Sequence, residues 1–138
     1  VKELPESVDS LVIRTDFSDD AAWQRICREV DAGDGEFFAY VAYVNDREYE
    51  GIGIEDLTAL GRRGPWRGFL FAVDHETVAN PEHPILVVDL VHEPGRSFRA
   101  IPHEMPGIEN NLSIANMDFV DFAESVDADG VFRGFPEG

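Results

Sequence analysis

Three runs rich in β-branched, aromatic and aliphatic residues alternate with segments of helical character, and this limits the fold more than any other feature of the chain. They are LVIRTDF (Leu11 to Phe17), FFAYVAYV (Phe37 to Val44) and GFLFAVD (Gly68 to Asp74). After the first run Ser18 stands where an N-cap belongs, with Asp19 and Asp20 in the first turn. Trp23, Ile26, Cys27 and Val30 then form one apolar stripe at i, i+3, i+4 and i+7, ended by the Gly33 to Gly35 stretch. The second run is nearly continuous in apolar side chains, as in a strand covered on both faces, so it is expected at the centre of a sheet. A short helix from about Ile54 to Leu60, closed by Gly61 as a left-handed cap, and a loop, GRRGPWRG, lead into the third run. Strands alternating with helices pair in parallel through crossovers, so this half predicts β-α-β-α-β.

The second half differs, because ILVVDLV (Ile85 to Val91) and SFRAI (Ser97 to Ile101) are separated only by HEPGR, too short for a crossover. An antiparallel hairpin is expected, with Pro94 and Gly95 at the central positions of a type II turn. From Ile108 onward Leu112, Ala115, Phe119, Phe122, Ala123 and Val126 repeat at helical spacing. Asn116 or Asp118 can restart that helix if it breaks, and Gly130 would end it. Val131, Phe132 and Phe135 give the tail apolar surface with which to latch onto the body. Residues 1–10 read as an extended lead-in and residues 11–138 as a single α/β domain, with α+β as the nearest alternative. The expected sheet is mixed, of about five strands, in the order β-α-β-α-β-β-β-α with a C-terminal helix packed on it.

With 28 Asp and Glu against 11 Lys and Arg, the chain carries a net charge of −17. Such a field repels polyanions, and no basic stripe interleaved with aromatics offsets it, so nucleic-acid binding is disfavoured and a basic protein partner favoured. A single cysteine, Cys27, permits no internal disulfide, and no signal-type segment or membrane-spanning run occurs, so a cytoplasmic location without a membrane role is expected.

Candidate chemistry is sparse. Asp16, Asp46, Asp74 and Asp89 fall at or near predicted strand ends, and in open α/β sheets ligands bind beyond the carboxyl ends of parallel strands. Asp16, Asp46 and Asp74, with Asp19 and Asp20 nearby, could therefore gather Mg²⁺; caps and turns account for the same aspartates without a ligand. His75, His83, His92 and His103 have no zinc-type spacing and read as loop histidines, and Cys27, two turns into its helix, reads as core. GIGIED lacks the third glycine of a dinucleotide loop, and DADG lacks most of a calcium loop. Two surface segments could bind something. One is the loop with Arg62, Arg63 and Arg67 around Trp66; the other is ENNLSIANMD with Asn110, Asn111 and Asn116.

The strings LVIRTDFSDDAAW, HPILVVDL and NNLSIANMDFVDFAESVDADGVFRGF together resemble a family of small acidic bacterial proteins classed as a domain of unknown function. That resemblance implies a free-standing bacterial domain and carries no activity or catalytic residue with it. The expectation is therefore a non-catalytic acidic protein that recognises a basic protein, in the manner of an immunity protein or nucleic-acid mimic, with no cofactor. A Mg²⁺-dependent enzyme acting on an anionic or phosphate-containing substrate and a small-ligand sensor are the alternatives.

Overall fold

The computed structural model describes residues 1–136. Six strands occur among them: β1 (Ser10–Arg14), β2 (Val41–Val44), β3 (Phe69–Val73), β4 (Ile85–Asp89), β5 (Ser97–Ala100) and β6 (Val131–Phe132). Five helices accompany them: α1 (Asp20–Ala32), α2 (Ile54–Gly61), α3 (His75–Ala79), α4 (Met105–Ser113) and α5 (Phe119–Ala123). The strands form one mixed sheet in the spatial order β2-β1-β3-β4-β5-β6. β1 pairs in parallel with β2 and with β3, β4 runs antiparallel to both β3 and β5, and β6 lies parallel to β5.

Alternation along the strands builds two apolar layers. Val12, Phe71 and Val87 face one side, under Trp23, Ile26 and Val30 of α1, Met105 and Ile108 of α4, and Phe119 and Phe122 of α5. Leu11, Ile13, Leu70 and Leu86 face the other side, under Leu57 and Leu60 of α2 and Leu4 of the lead-in. The crossovers after β1 and β2 thus use opposite faces, which completes the expected α/β class.

The expected central strand is in fact an edge strand. Only Val41–Val44 pairs, and the aromatics that made the run look doubly covered, Phe37, Phe38 and Tyr40, lie before it and are 55%, 55% and 68% exposed. The cap of α1 is Asp19, whose carboxylate accepts the Ala22 N–H at 3.0 Å, while the Ser18 hydroxyl turns to Asp16. Gly61 is not a left-handed cap: it is the buried last residue of α2, where a Cβ would stand 2.8 Å from Leu90, so the glycine lets the helix lie against the sheet. α3 was not foreseen; its five residues are held by a capping box between Asp74 and Thr77.

The hairpin is as expected, with the Arg96 N–H donating to the Glu93 carbonyl at 2.9 Å and Gly95 at φ 92°. The final helix breaks in two and restarts at Asp118, and it begins at Met105 instead of Ile108. Gly130 ends no helix; it turns the chain, at φ 81°, into β6, the sixth strand and the form the latching tail takes. Among the described residues no helix is long and apolar enough to cross a membrane.

Candidate functional site

Where the chain departs from β1 toward β2 on one side and arrives at β3 on the other, an open α/β sheet leaves a crevice at the carboxyl ends of β1 and β3. Here that crevice is closed by the protein's own groups. Thr15 and Asp16 donate their N–H groups to the Val73 carbonyl at 2.9 and 3.3 Å, and Asp16 meets the His75 ring at 3.0 Å. Beneath them the buried Arg14 guanidinium lies on the Phe17 ring and donates to the Asp16 carbonyl, Asn45 and Asp20, leaving it committed to the scaffold.

The aspartates proposed as metal ligands are each engaged separately. Asp16 accepts from the Ser18 N–H and hydroxyl; burial works to raise its carboxyl, and these bonds with that from His75 outweigh it and hold it below its ordinary value. Asp46 caps the 3-10 turn Arg47–Tyr49 and pairs with the Lys2 ammonium, which holds its carboxyl down. Asp74 caps α3 and takes both ends of the Arg99 fork at 2.9 and 2.7 Å. Among the described residues no three His, Cys, Asp or Glu side chains gather in a way that could hold a metal ion. Asp16, Asp46 and Asp74 each already have backbone, hydroxyl or cationic donors.

The Asp74–Arg99 pair carries a pH dependence. Burial works to raise the Asp74 carboxyl, but hydrogen bonds and charge from Arg99 outweigh it, so the folded value lies below the unfolded one. Its stabilisation is present above the unfolded carboxylate range, about pH 4, and is lost as pH falls through the depressed folded value. Asp74→Asn, which can still cap α3, is therefore expected to lower stability at neutral pH by an amount that shrinks below about pH 4. Urea denaturation across pH reads this; a deficit unchanged down to the acid limit would refute it.

His83 lies in a loop as expected but is buried instead of exposed, with its ring on the Thr77 carbonyl at 2.9 Å. Cys27 is half-buried, and burial pushes its thiol up to about 11, far from a nucleophile's range.

The opposite end of the sheet brings together the two surface segments that looked separate in the sequence. Trp66, 82% exposed, stands over Gly68 at the foot of β3. Arg63 pairs with Glu3 at 3.4 Å and Arg67 donates to the Pro5 carbonyl at 3.1 Å, so two of the loop arginines fasten the lead-in and hold the loop that presents the indole. Arg62 and Arg67 line one cavity beside Trp66. A second cleft runs between Trp66 and Phe69 and the chain from Leu112 to Phe119.

The asparagines near that second wall hydrogen-bond within the chain. Asn110 donates to the Phe38 carbonyl, Asn111 to the Gly107 carbonyl, and Asn116 to the Asn111 side chain. α4 ends with the Ala115 N–H on the Leu112 carbonyl and the Asn116 N–H on the Asn111 carbonyl, a Schellman closure with alanine, at φ 55°, where glycine is usual. A strained non-glycine residue on the wall of the cleft is the kind of feature that concentrates at functional sites. Asp118 closes the asparagine segment singled out in the sequence, whereas the cleft's other contributors, His92 and Phe119, were not assigned to a site. A further signal lay in apolar residues out of period: Trp66 in a polar loop, and Ile114, 74% exposed, beside the helical stripe.

A family model described as a domain of unknown function, DUF6924, matches residues 9–135 of the chain. No curated protein matches it.

Proposed function

The chain belongs to that family of unknown function, and we propose from its own geometry that it is a non-catalytic, cytoplasmic bacterial binding protein that docks a basic protein on the face around Trp66. The observation that carries this reading is an exposed indole standing where two surface segments meet, on a molecule of net charge −17. Indoles are among the commonest anchors of protein interfaces, where apolar area is buried at little entropic cost. The surrounding charge selects the partner's sign. Seven of the eleven basic side chains are already held in ion pairs within the chain, so the unmatched carboxylates dominate the exterior field. Such a field accelerates encounter with a cationic surface and disfavours anionic ones, as in an immunity protein or nucleic-acid mimic.

Panning the protein against a displayed random peptide library at low salt is expected to enrich sequences rich in Lys and Arg with an apolar residue among them. Binding of a selected synthetic peptide should weaken with added salt and fall by about tenfold or more in Trp66→Ala, whose melting temperature stays close to that of the parent. Selected peptides without basic enrichment, or equal affinity for Trp66→Ala, would overturn the proposal.

A further inference from the structure

We propose that the cleft between Trp66 and Phe119 is a receptor for an arginine side chain; the inference rests on the reading above and names the group the partner inserts. The cavity beside Trp66 has a volume of about 100 Å³ and apolar walls that include Phe69, Leu112, Met117 and Phe119. It shares Asp89, His92, Asp118 and Phe119 with a second cavity of about 320 Å³, to which Glu93 and Val120 are added. The two make an elongated space, suited to a long side chain with an apolar stem.

Charge decides which long side chain. No Lys or Arg lines either cavity, whereas Asp89, Glu93 and Asp118 do, with His92 beside them. The three carboxylates have different duties. Asp89 is buried and fixed by the N–H groups of Val91, His92 and Glu93 at 3.0, 3.4 and 2.9 Å, so it sets a negative potential without needing to move. Glu93 is paired with Arg96. Asp118 is exposed beside the cleft and has no ion pair among the described residues; its carboxylate shares a capping box with Asp121, whose side chain accepts the Asp118 N–H at 2.9 Å, and keeps further lone pairs for a cation.

A guanidinium fits this arrangement better than an ammonium. Its flat faces lie on an indole and its fork meets a carboxylate with two parallel hydrogen bonds, whereas an ammonium keeps more of its water.

The test uses small probes. N-acetyl-arginine methylamide is expected to shift the Trp66 indole N–H and the Asp118 and Phe119 amide resonances, and its citrulline counterpart, equal in shape but neutral, is expected not to. Asp118→Asn, which still caps α5, should weaken the arginine probe by about tenfold, since a hydrogen bond to a charged group is replaced by one to a neutral amide. Equal response to both probes, or unchanged affinity in Asp118→Asn, would overturn the receptor. A selected basic peptide that needs Trp66 but tolerates replacement of each arginine by citrulline would remove the receptor and leave the docking face. Arginine-probe binding in the cleft, with no basic peptide recovered in panning, would do the reverse.

Discussion

Phe122→Ala is expected to cost about 3 to 5 kcal/mol of unfolding free energy, the largest loss for any single truncation considered. The ring is 1% exposed and is the hub of an aromatic cluster. It stacks on Phe98 at a centroid separation of 6.5 Å and meets Phe132 and Phe135 at 5.3 and 5.4 Å, while Phe98 also packs edge-on to Phe119 at 5.0 Å. Those contacts join α5, β5 and the C-terminal β6, and a five-residue helix has almost no stability without them. Removing the ring leaves a cavity bounded by aromatics that cannot all collapse into it, and it forfeits edge and stacking terms beyond the area buried. Because α5 also carries Phe119, the cleft beside Trp66 should loosen with it. Urea denaturation should rank the parent as most stable, Phe122→Leu next and Phe122→Ala least; an alanine variant within about 1 kcal/mol of the parent would contradict the cluster's role.

The second large effect is expected at Glu109, on α4 and 3% exposed. One carboxylate oxygen accepts the Tyr40 N–H at 2.8 Å and the Asn110 amide at 3.2 Å; the other accepts the Ser10 hydroxyl at 2.9 Å. Ser10 opens β1 and donates its own N–H to the Tyr40 carbonyl, so one side chain ties α4 to the start of β1 and the approach to β2. Truncation to alanine strips the acceptor from three donors, two of them far away in sequence, and is expected to cost about 2 to 4 kcal/mol. Glu109→Gln keeps an acceptor and the shape, so it should cost less than half as much. Equal losses in the two variants would mean that packing, and not hydrogen bonding, is what Glu109 supplies.

Much of the fold could be read from residue pattern because its determinants are local. The stripe Trp23, Ile26 and Val30, the Pro94–Gly95 turn and the apolar run of β3 each declare their structure within a few residues. The failures occurred where the deciding neighbour was distant. Apolarity in Phe37 to Val44 looked like burial on both faces, yet a run of aromatics reads identically whether a sheet or solvent lies beside it. Gly61 looked like a helix terminator, and only the Leu90 side chain opposite reveals that it is a contact. α3 is too short to show a period and exists because Asp74, Thr77 and the Pro84 carbonyl close a network. The candidate site divides in the same way. Both segments flanking the cleft were visible as unusual composition, but their meeting depends on β3 beginning and α4 ending at the same edge of the molecule, which no spacing in the chain encodes.

The position of β2 at the border of the sheet gives the protein's charge a protective effect. A terminal strand offers a row of backbone donors and acceptors to any second strand, and here Phe37, Phe38 and Tyr40 sit beside it as an apolar invitation. Between two copies that invitation is opposed by the mutual repulsion of two strongly negative bodies. As pH falls into the range where carboxylates protonate, the repulsion fades while the ladder remains, so acid brings strand-to-strand association within reach before heat does.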